Sequence, residues 1–358
     1  MSASPTTTVS SPDDPPSPAS FTSPDSRFGE RGRADEATLA ADGLLDPALL
    51  STAEARIRGV LPPTPVLASE RLGAALKLES LQATGAYKVR GAFNALAARV
   101  GRGDGRPVFA ASAGNHGLGV AWAARRLGLA ATVVVPADAP ATKIAGCRAL
   151  GATLVQATGG FEACAVVARR LAAAAGGHFL HAFDDAEVIA GQSTVAAELL
   201  SLDPDVVVVP VGGGGLLAGM GSLLRRHGIR VVGVQVAGVD SLRRALSGEG
   251  APGSGSPPAA TLADGLRVAA PGRLPLRIAS AFLDEIVVVS EEEVTAALVG
   301  LAVHERIVAE GAGAVAVAAL TRVRGNRRVA VVSGGNIDPR VLGNLIVSAT
   351  SSGARGAL

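Results

Sequence analysis

The sequence predicts an α/β protein of two domains, each a mostly parallel sheet covered by helices. Three observations predict it. Short apolar runs rich in β-branched residues, such as "ATVVVP", "DVVVVPV" and "RVVGVQV", alternate with longer helical stretches, the mark of strands buried on both faces. These units fall into two series along the chain. At 358 residues and 48% hydrophobic composition, there is enough chain for two cores.

In order, "DPALLSTAEARIRGVL" has a helical period, with Asp46 as cap and Pro47 at the first helical position. "PPTPVLAS" and "ALKLES" read as short strands, and "KVRGAFNALAARV" as a helix. The first alternating series follows: "PVFAAS", "GLGVAWAARRLG", "ATVVVP", "ATKIAGCRALG", "ATLVQAT" and "FEACAVVARRLAAAAG". The second comprises "STVAAELLSL", "DVVVVPV", "LLAGMGSLLRRHG", "RVVGVQV", "EEEVTAALVGLAVHERI" and "RVAVVSGG", with Ser247 to Ala260 as an inserted surface loop. Residues 1–40 are a different material, rich in Ser, Pro, Thr and Asp. They predict a disordered tail without the apolar stretch of a secretory signal.

A formal charge of +2 gives no case for nucleic acid or a membrane surface, and the longest apolar run is broken by Pro210 and four glycines. Cys147 and Cys164 are too few for a disulfide framework, which points to a reducing, cytoplasmic setting. His178 and His181 stand in an HxxH spacing with no third ligand and read as loop or core histidines, so no metal site is expected.

Of the 33 basic residues only Lys77, Lys88 and Lys143 are lysine; the rest are arginine. Lys88 follows the single tyrosine, Tyr87, within "TGAYKVRGA". A guanidinium keeps its proton in a protein, whereas an amine can lose one and act as a nucleophile. The placement therefore suggests a covalent lysine. "VVVVPVGGGGLLAGM" runs from strand through Gly212, Gly213, Gly214 and Gly215 into a helix that Leu216 begins to fill. Such a turn aims backbone N–H groups at a phosphate. It fits the dinucleotide pattern only loosely, and the next strand ends near Gln235 where an NAD site would want an acid. "ASAGNHGLGVAW" places Ser112, Ala113, Gly114, Asn115 and His116 in a second strand–turn–helix, either a carboxylate seat or simple capping by Ser112 or Asn115. Ser333 ends the last strong strand, as a turn cap or a neutral partner for a ring nitrogen. Glu310, before the small-residue run "GAGA", reads as a solvated side chain beside a packing stretch. A deprotonatable lysine, a phosphate cradle, a carboxylate seat and a neutral ring-nitrogen partner are together what pyridoxal 5'-phosphate asks for when it holds an amino acid.

The chain resembles the serine/threonine dehydratase (threonine ammonia-lyase) family of fold-type II pyridoxal-phosphate enzymes, which are tryptophan synthase β-like and include serine racemase. Seven motifs carry the resemblance in order from about Leu45 to Leu345: "KLESLQATGAYKVRGAFN", "ASAGNHGLGVAWAARRLG", "PADAPATKIAGCRALGA", "FDDAEVIAGQSTVAAELL", "VPVGGGGLLAG", "LADGLRV" and "VVSGGNID". The resemblance implies that Lys88 is the Schiff-base lysine and the base for the substrate's α-proton. It implies that Asn115 bonds the ring hydroxyl, that Gly212, Gly213, Gly214, Gly215 and Leu216 hold the phosphate, that Ser333 meets the pyridine nitrogen and that Tyr87 packs beside the ring. Ser112, Ala113, Gly114, Asn115 and His116 are then the substrate carboxylate site. The implied domains are 41–101 with 186–350 as the large one and 102–185 as the small one, in a homodimer or homotetramer acting on a small amino acid.

The implied reaction is β-elimination from L-threonine or L-serine to a 2-oxo acid and ammonia. Departures from the family at Ala86, Tyr87, Leu118, Ala182 and Ser193 leave open another β-hydroxy amino acid: 3-hydroxyaspartate, phenylserine or a hydroxyectoine-pathway substrate. Ala113 stands where related racemases carry a serine, so little racemase activity is expected. The chain ends soon after "SGGN", which predicts no C-terminal regulatory domain and no isoleucine feedback. Gln235, where several relatives bind Mg²⁺ or Ca²⁺ through Glu, predicts little metal dependence. The rivals are β-replacement on the same fold, a non-catalytic amino-acid sensor, and an NAD-dependent oxidoreductase.

Overall fold

The structure is a computed structural model that describes residues 38–112, 114–137, 139, 141–249 and 259–351, with side chains undescribed at 141–143 and 350–351. The tail expected over residues 1–40 falls outside it up to residue 37, as do Ala113 and most of the loop expected after Ser247.

The first helix, α1 (Pro47–Ile57), begins as expected: the Asp46 carboxylate accepts from the Ala48 N–H ahead of Pro47. β1 (Val66–Ser69) and β2 (Ala74–Leu78) form an antiparallel pair. α2 (Lys88–Gly101) follows, starting at Lys88 itself, and is buried on nearly every side because it packs against two other helices. The first series is β3 (Val108–Ala111), α3 (Asn115–Leu127), β4 (Ala131–Pro136), α4 (Ala141–Ala149), β5 (Thr153–Ala157), α5 (Phe161–Ala174) and a two-residue β6 (His178–Phe179). Its strands make a four-stranded sheet in the order β5-β4-β3-β6, parallel throughout.

The second series is α6 (Ala186–Ala197), β7 (Val206–Pro210), α7 (Gly215–Leu224), β8 (Arg230–Val236), α8 (Ser241–Leu246), α9 (Arg273–Phe282), β9 (Ile286–Val289), α10 (Glu291–Gly300), α11 (Gly311–Ala318), β10 (Arg328–Val332) and α12 (Pro339–Ser351). With β1 and β2 its strands form a six-stranded sheet in the order β1-β2-β10-β7-β8-β9, in which only the β1–β2 pair is antiparallel. Along β7, Val206 and Val208 join the core under α10 and α11. Val207 and Val209 join the one under α6, α7 and α9. The other sheet has its own cores, with α2, α3 and α4 on one face and α5 on the other.

Several boundaries differ from the sequence reading. α6 starts seven residues before "STVAAELLSL", because the Asp185 carboxylate caps it by accepting from the Val188 N–H. "EEEVTAALVGLAVHERI" is one helix only to Gly300. A π-turn over Leu301–Glu305 then ends at Arg306, which has φ 61°. β6, α8, α9, β9 and α12 were not anticipated; β6 is too short to show a period. Among the described residues no helix is long and apolar enough to cross a membrane.

Candidate active site

β2, β10 and β7 are neighbours in one sheet, and β10 runs parallel to both, so the turns leaving β10 and β7 lie side by side at the C-terminal end of the strands. Lys88 is brought to that end by backbone contacts. The Tyr87 N–H donates to the carbonyl of Ser333 at 3.1 Å, and Ala86 forms a bridge with Gly334. Gly85, at φ +70°, lets the chain turn there. A Cβ at this position would overlap the Asn336 carboxamide. Half-buried Lys88 donates from Nζ to the Ala182 carbonyl at 3.1 Å. The Nζ lies 5.2 Å from the centre of the Tyr87 ring and 5.9 Å from that of Phe183.

The glycine turn meets the same place from the other side. Side chains at Gly213 and Gly215 would collide with Phe183, one at Gly214 with Pro275, and one at Gly212 would press on the backbone of Leu266. Gly214 has φ +91° and caps α7 without a side chain, so the first N–H groups of the helix remain for a ligand. Gly212 to Leu216 are all buried. Ser333 is buried, and its hydroxyl makes only a long bond of 3.3 Å to the Ala312 carbonyl.

α3 contributes from the other sheet, and Gly119 packs directly on the backbone of Lys88 and Val89. Ser112 Oγ accepts from the Gly114 N–H, and neither it nor Asn115 caps α3 through its side chain, against the capping alternative. Asn115 is half-buried, and its carboxamide is bonded to Glu310 and Asn336. Glu310 is 5% exposed, which corrects the expectation of a solvated side chain. His116 is buried, with Nε2 facing the Leu180 carbonyl at 3.2 Å. Burial first, and the Lys88 charge second, push its pKa down to about 3, so the ring is neutral. Its Nδ1 and the Thr84 hydroxyl are buried without a hydrogen-bond partner among the described residues.

These features fit a phosphorylated, ring-bearing cofactor. The turn has no side chains to fill the cradle, a helix N-terminus is uncapped, and a neutral hydroxyl and polar atoms without partners lie on the segments that meet the Tyr87–Lys88 stretch. The other two lysines are not alternatives of equal standing. Lys77 is fully buried, paired with Glu198 and bonded to the Thr64 carbonyl. The side chain of Lys143 lies outside the described residues.

Of the departures noted in the sequence, Ala86, Tyr87 and Ala182 touch the surroundings of Lys88. Leu118 instead packs towards Gly146 of α4, and the Ser193 hydroxyl bonds back to Ala190 within its own helix. Sequence reading missed Thr84, Phe183 and Asn336, and misread Glu310. Only the glycines at 213 and 215 hinted that something large packs on the turn.

Gln235, buried at the end of β8, spends both ends of its amide on the protein. Its Nε2 donates to the Val211 and Val239 carbonyls at 3.2 and 3.4 Å, and its Oε1 accepts from the Arg243 N–H at 2.8 Å. Asp240 is paired with Arg243. Chelation is therefore expected to leave activity within about twofold, since a neutral amide is a poor ligand for a hard cation. A severalfold loss restored by Mg²⁺ would contradict this.

Comparison with known proteins gives consistent results. A family model described as pyridoxal-phosphate dependent enzyme matches residues 57–335. An L-threonine ammonia-lyase of Thermotoga maritima is 42% identical over 279 residues, 76% of this chain and 69% of that one. The crystal structure of a threonine deaminase from "T.th." superposes with a TM-score of 0.76 at 35% identity, covering 82% of this chain and 99% of that one. The maize serine racemase structure does so with a TM-score of 0.77 at 27% identity, over 87% and 99% of the two chains.

Proposed function

The chain belongs to the pyridoxal-phosphate dependent enzyme family, and from that premise we propose that it is an ammonia-lyase converting L-threonine or L-serine to a 2-oxo acid and ammonia. The observation that carries the reading is the convergence of Lys88, the Gly212–Gly215 turn, Asn115 and Ser333 at the C-terminal end of the central strands β7 and β10. Lys88 would hold the cofactor covalently, Gly212 to Leu216 its phosphate, Ser333 its ring nitrogen and Asn115 its ring oxygen, with Tyr87 beside the ring. When bound, the cofactor supplies an aldehyde that condenses with an amine and a ring that delocalises the electron pair left on the substrate's α-carbon.

The chain's own residues supply the rest. The amine of Lys88, when not holding the cofactor, would take the proton from the substrate's α-carbon. The segment Ser112 to His116 at the head of α3 receives the substrate carboxylate, the uncapped helix end favouring an anion there. Neutral His116 keeps a second positive charge away from Lys88. The β-hydroxyl leaves with a proton as water, and hydrolysis of the released enamine consumes one water, so the net loss is ammonia.

The two sheets support reading 41–101 with 186–350 as a large domain and 102–185 as a small one. We read the enzyme as cytoplasmic, which two buried cysteines not joined in a disulfide support, and as a homodimer or homotetramer. The test is a screen of β-hydroxy amino acids for 2-oxo acid release. L-threonine or L-serine is expected to lead, with D-serine forming far more slowly than pyruvate. A preference for 3-hydroxyaspartate or phenylserine, or D-serine formation matching pyruvate, would overturn the assignment.

A further inference from the structure

Asn115 sits in a chain of hydrogen bonds that ends in an acceptor-only group on each side. Its Nδ2 donates to Glu310 Oε1 at 2.5 Å, and its Oδ1 accepts from Asn336 Nδ2 at 2.8 Å. The same Asn336 nitrogen donates to the Thr84 carbonyl at 2.8 Å. A carboxylate and a backbone carbonyl can only accept. The atom facing each of them must therefore be an amide nitrogen, and turning either carboxamide over would set oxygen against oxygen.

Glu310 is itself held in place. It is buried, its N–H donates to the Gly334 carbonyl at 3.0 Å, and its Oε1 lies so close over Gly334 that no side chain fits there. Asn336 is held by its approach over Gly85. With one N–H given to Glu310 and one lone pair to Asn336, Asn115 Nδ2 keeps a second N–H. A ring oxygen carrying negative charge can only accept, so it must meet that nitrogen.

We propose that Glu310 and Asn336 are positioning residues that lock the Asn115 carboxamide so that it presents N–H, and not oxygen, to the cofactor's ring oxygen. The proposal rests on the reading that Asn115 faces the cofactor. Without the lock the carboxamide would turn, and the ring oxygen would lose the donor that favours its anionic form.

The experiment uses the full chain, stripped of cofactor and titrated with pyridoxal phosphate, following visible absorbance and its pH dependence. Asn115→Ala is expected to weaken binding about tenfold, the loss of one charge-assisted hydrogen bond, and to raise the pH at which the absorbance band titrates. Glu310→Ala is expected to do the same. The double variant should be no worse than Asn115→Ala alone, because Glu310 acts through Asn115. Glu310→Gln, which keeps an oxygen to accept from Asn115, should recover binding to within about threefold of the unaltered protein. Asn336→Ala should weaken binding about threefold, again with no added effect on Asn115→Ala. The Asn336 pair decides the matter if Glu310→Ala does not fold. A lowered melting temperature with unchanged affinity and band, or losses that add in the double variants, would overturn the lock while leaving Asn115 at the cofactor. No effect of Asn115→Ala would overturn the placement of Asn115, and the lock with it.

Discussion

Lys88→Ala is expected to abolish the bound cofactor's visible absorbance and to lower turnover by at least about ten-thousandfold, with the fold intact. The amine of Lys88 is half-exposed and makes one hydrogen bond, to the Ala182 carbonyl, so its removal costs little packing. Among the described residues no neighbour can take over the role proposed for it. Arginine cannot lose its proton, and Lys77 is sealed in the core against Glu198. Absorbance spectra and 2-oxo acid release measure the two losses, and near-UV circular dichroism checks the fold. Lys143→Ala is the control and should remain coloured and active. A colourless Lys143→Ala beside a coloured Lys88→Ala would sink the assignment.

Arg90→Met is expected to destabilise the protein by about 3–5 kcal/mol, the usual result of leaving a buried charge unpaired. Arg90 lies two residues beyond Lys88 and is fully buried, forked onto Glu79 at 2.8 Å through both Nε and Nη2, and onto Glu198 at 2.5 Å. Lys77 completes a cluster of two cations and two carboxylates, with the Thr64 hydroxyl on Glu79. Burial by itself would loosen the Arg90 proton, but Glu79 and Glu198 outweigh it and hold the guanidinium charged. Burial likewise raises the Glu198 pKa, while Arg90 and Lys77 pull it below the ordinary value. That part of the stability is present at neutral pH and lost as the pH falls through the carboxylate range. Urea denaturation of the cofactor-free protein measures the effect. Adding Glu79→Leu to Arg90→Met should recover part of the loss, because it removes the stranded carboxylate. A cost below about 1 kcal/mol for Arg90→Met alone would show that the cluster does not hold the head of α2.

Much of the candidate site was legible before the fold was known. An amine among arginines, and glycines where a strand turns into a helix, are local signals, because backbone conformation and side-chain chemistry are set within a few neighbouring residues. All strands of the two sheets except β6 and β9 were legible for the same reason. β9 and α9 were not read, although the run "IVVV" and the Pro271-Gly272 pair ahead of Arg273 are local signals for a strand and for a helix start. Glu310 was misread because a carboxylate before a run of small residues looks the same whether it faces water or a buried amide.

The sequence by itself therefore determined the alternation of strands and helices, the candidate lysine and the glycine turn proposed for a phosphate, all of them carried by contiguous residues. Only the tertiary structure decided what stands around them. It placed Phe183 against the glycine turn, made Lys77 a structural cation, and joined Asn115 to a Glu310 that lies 195 positions away. The physical reason is that a hydrogen bond or an ion pair depends on distance in space. Along the chain its two partners are ordinary residues, and the parallel sheets brought them together.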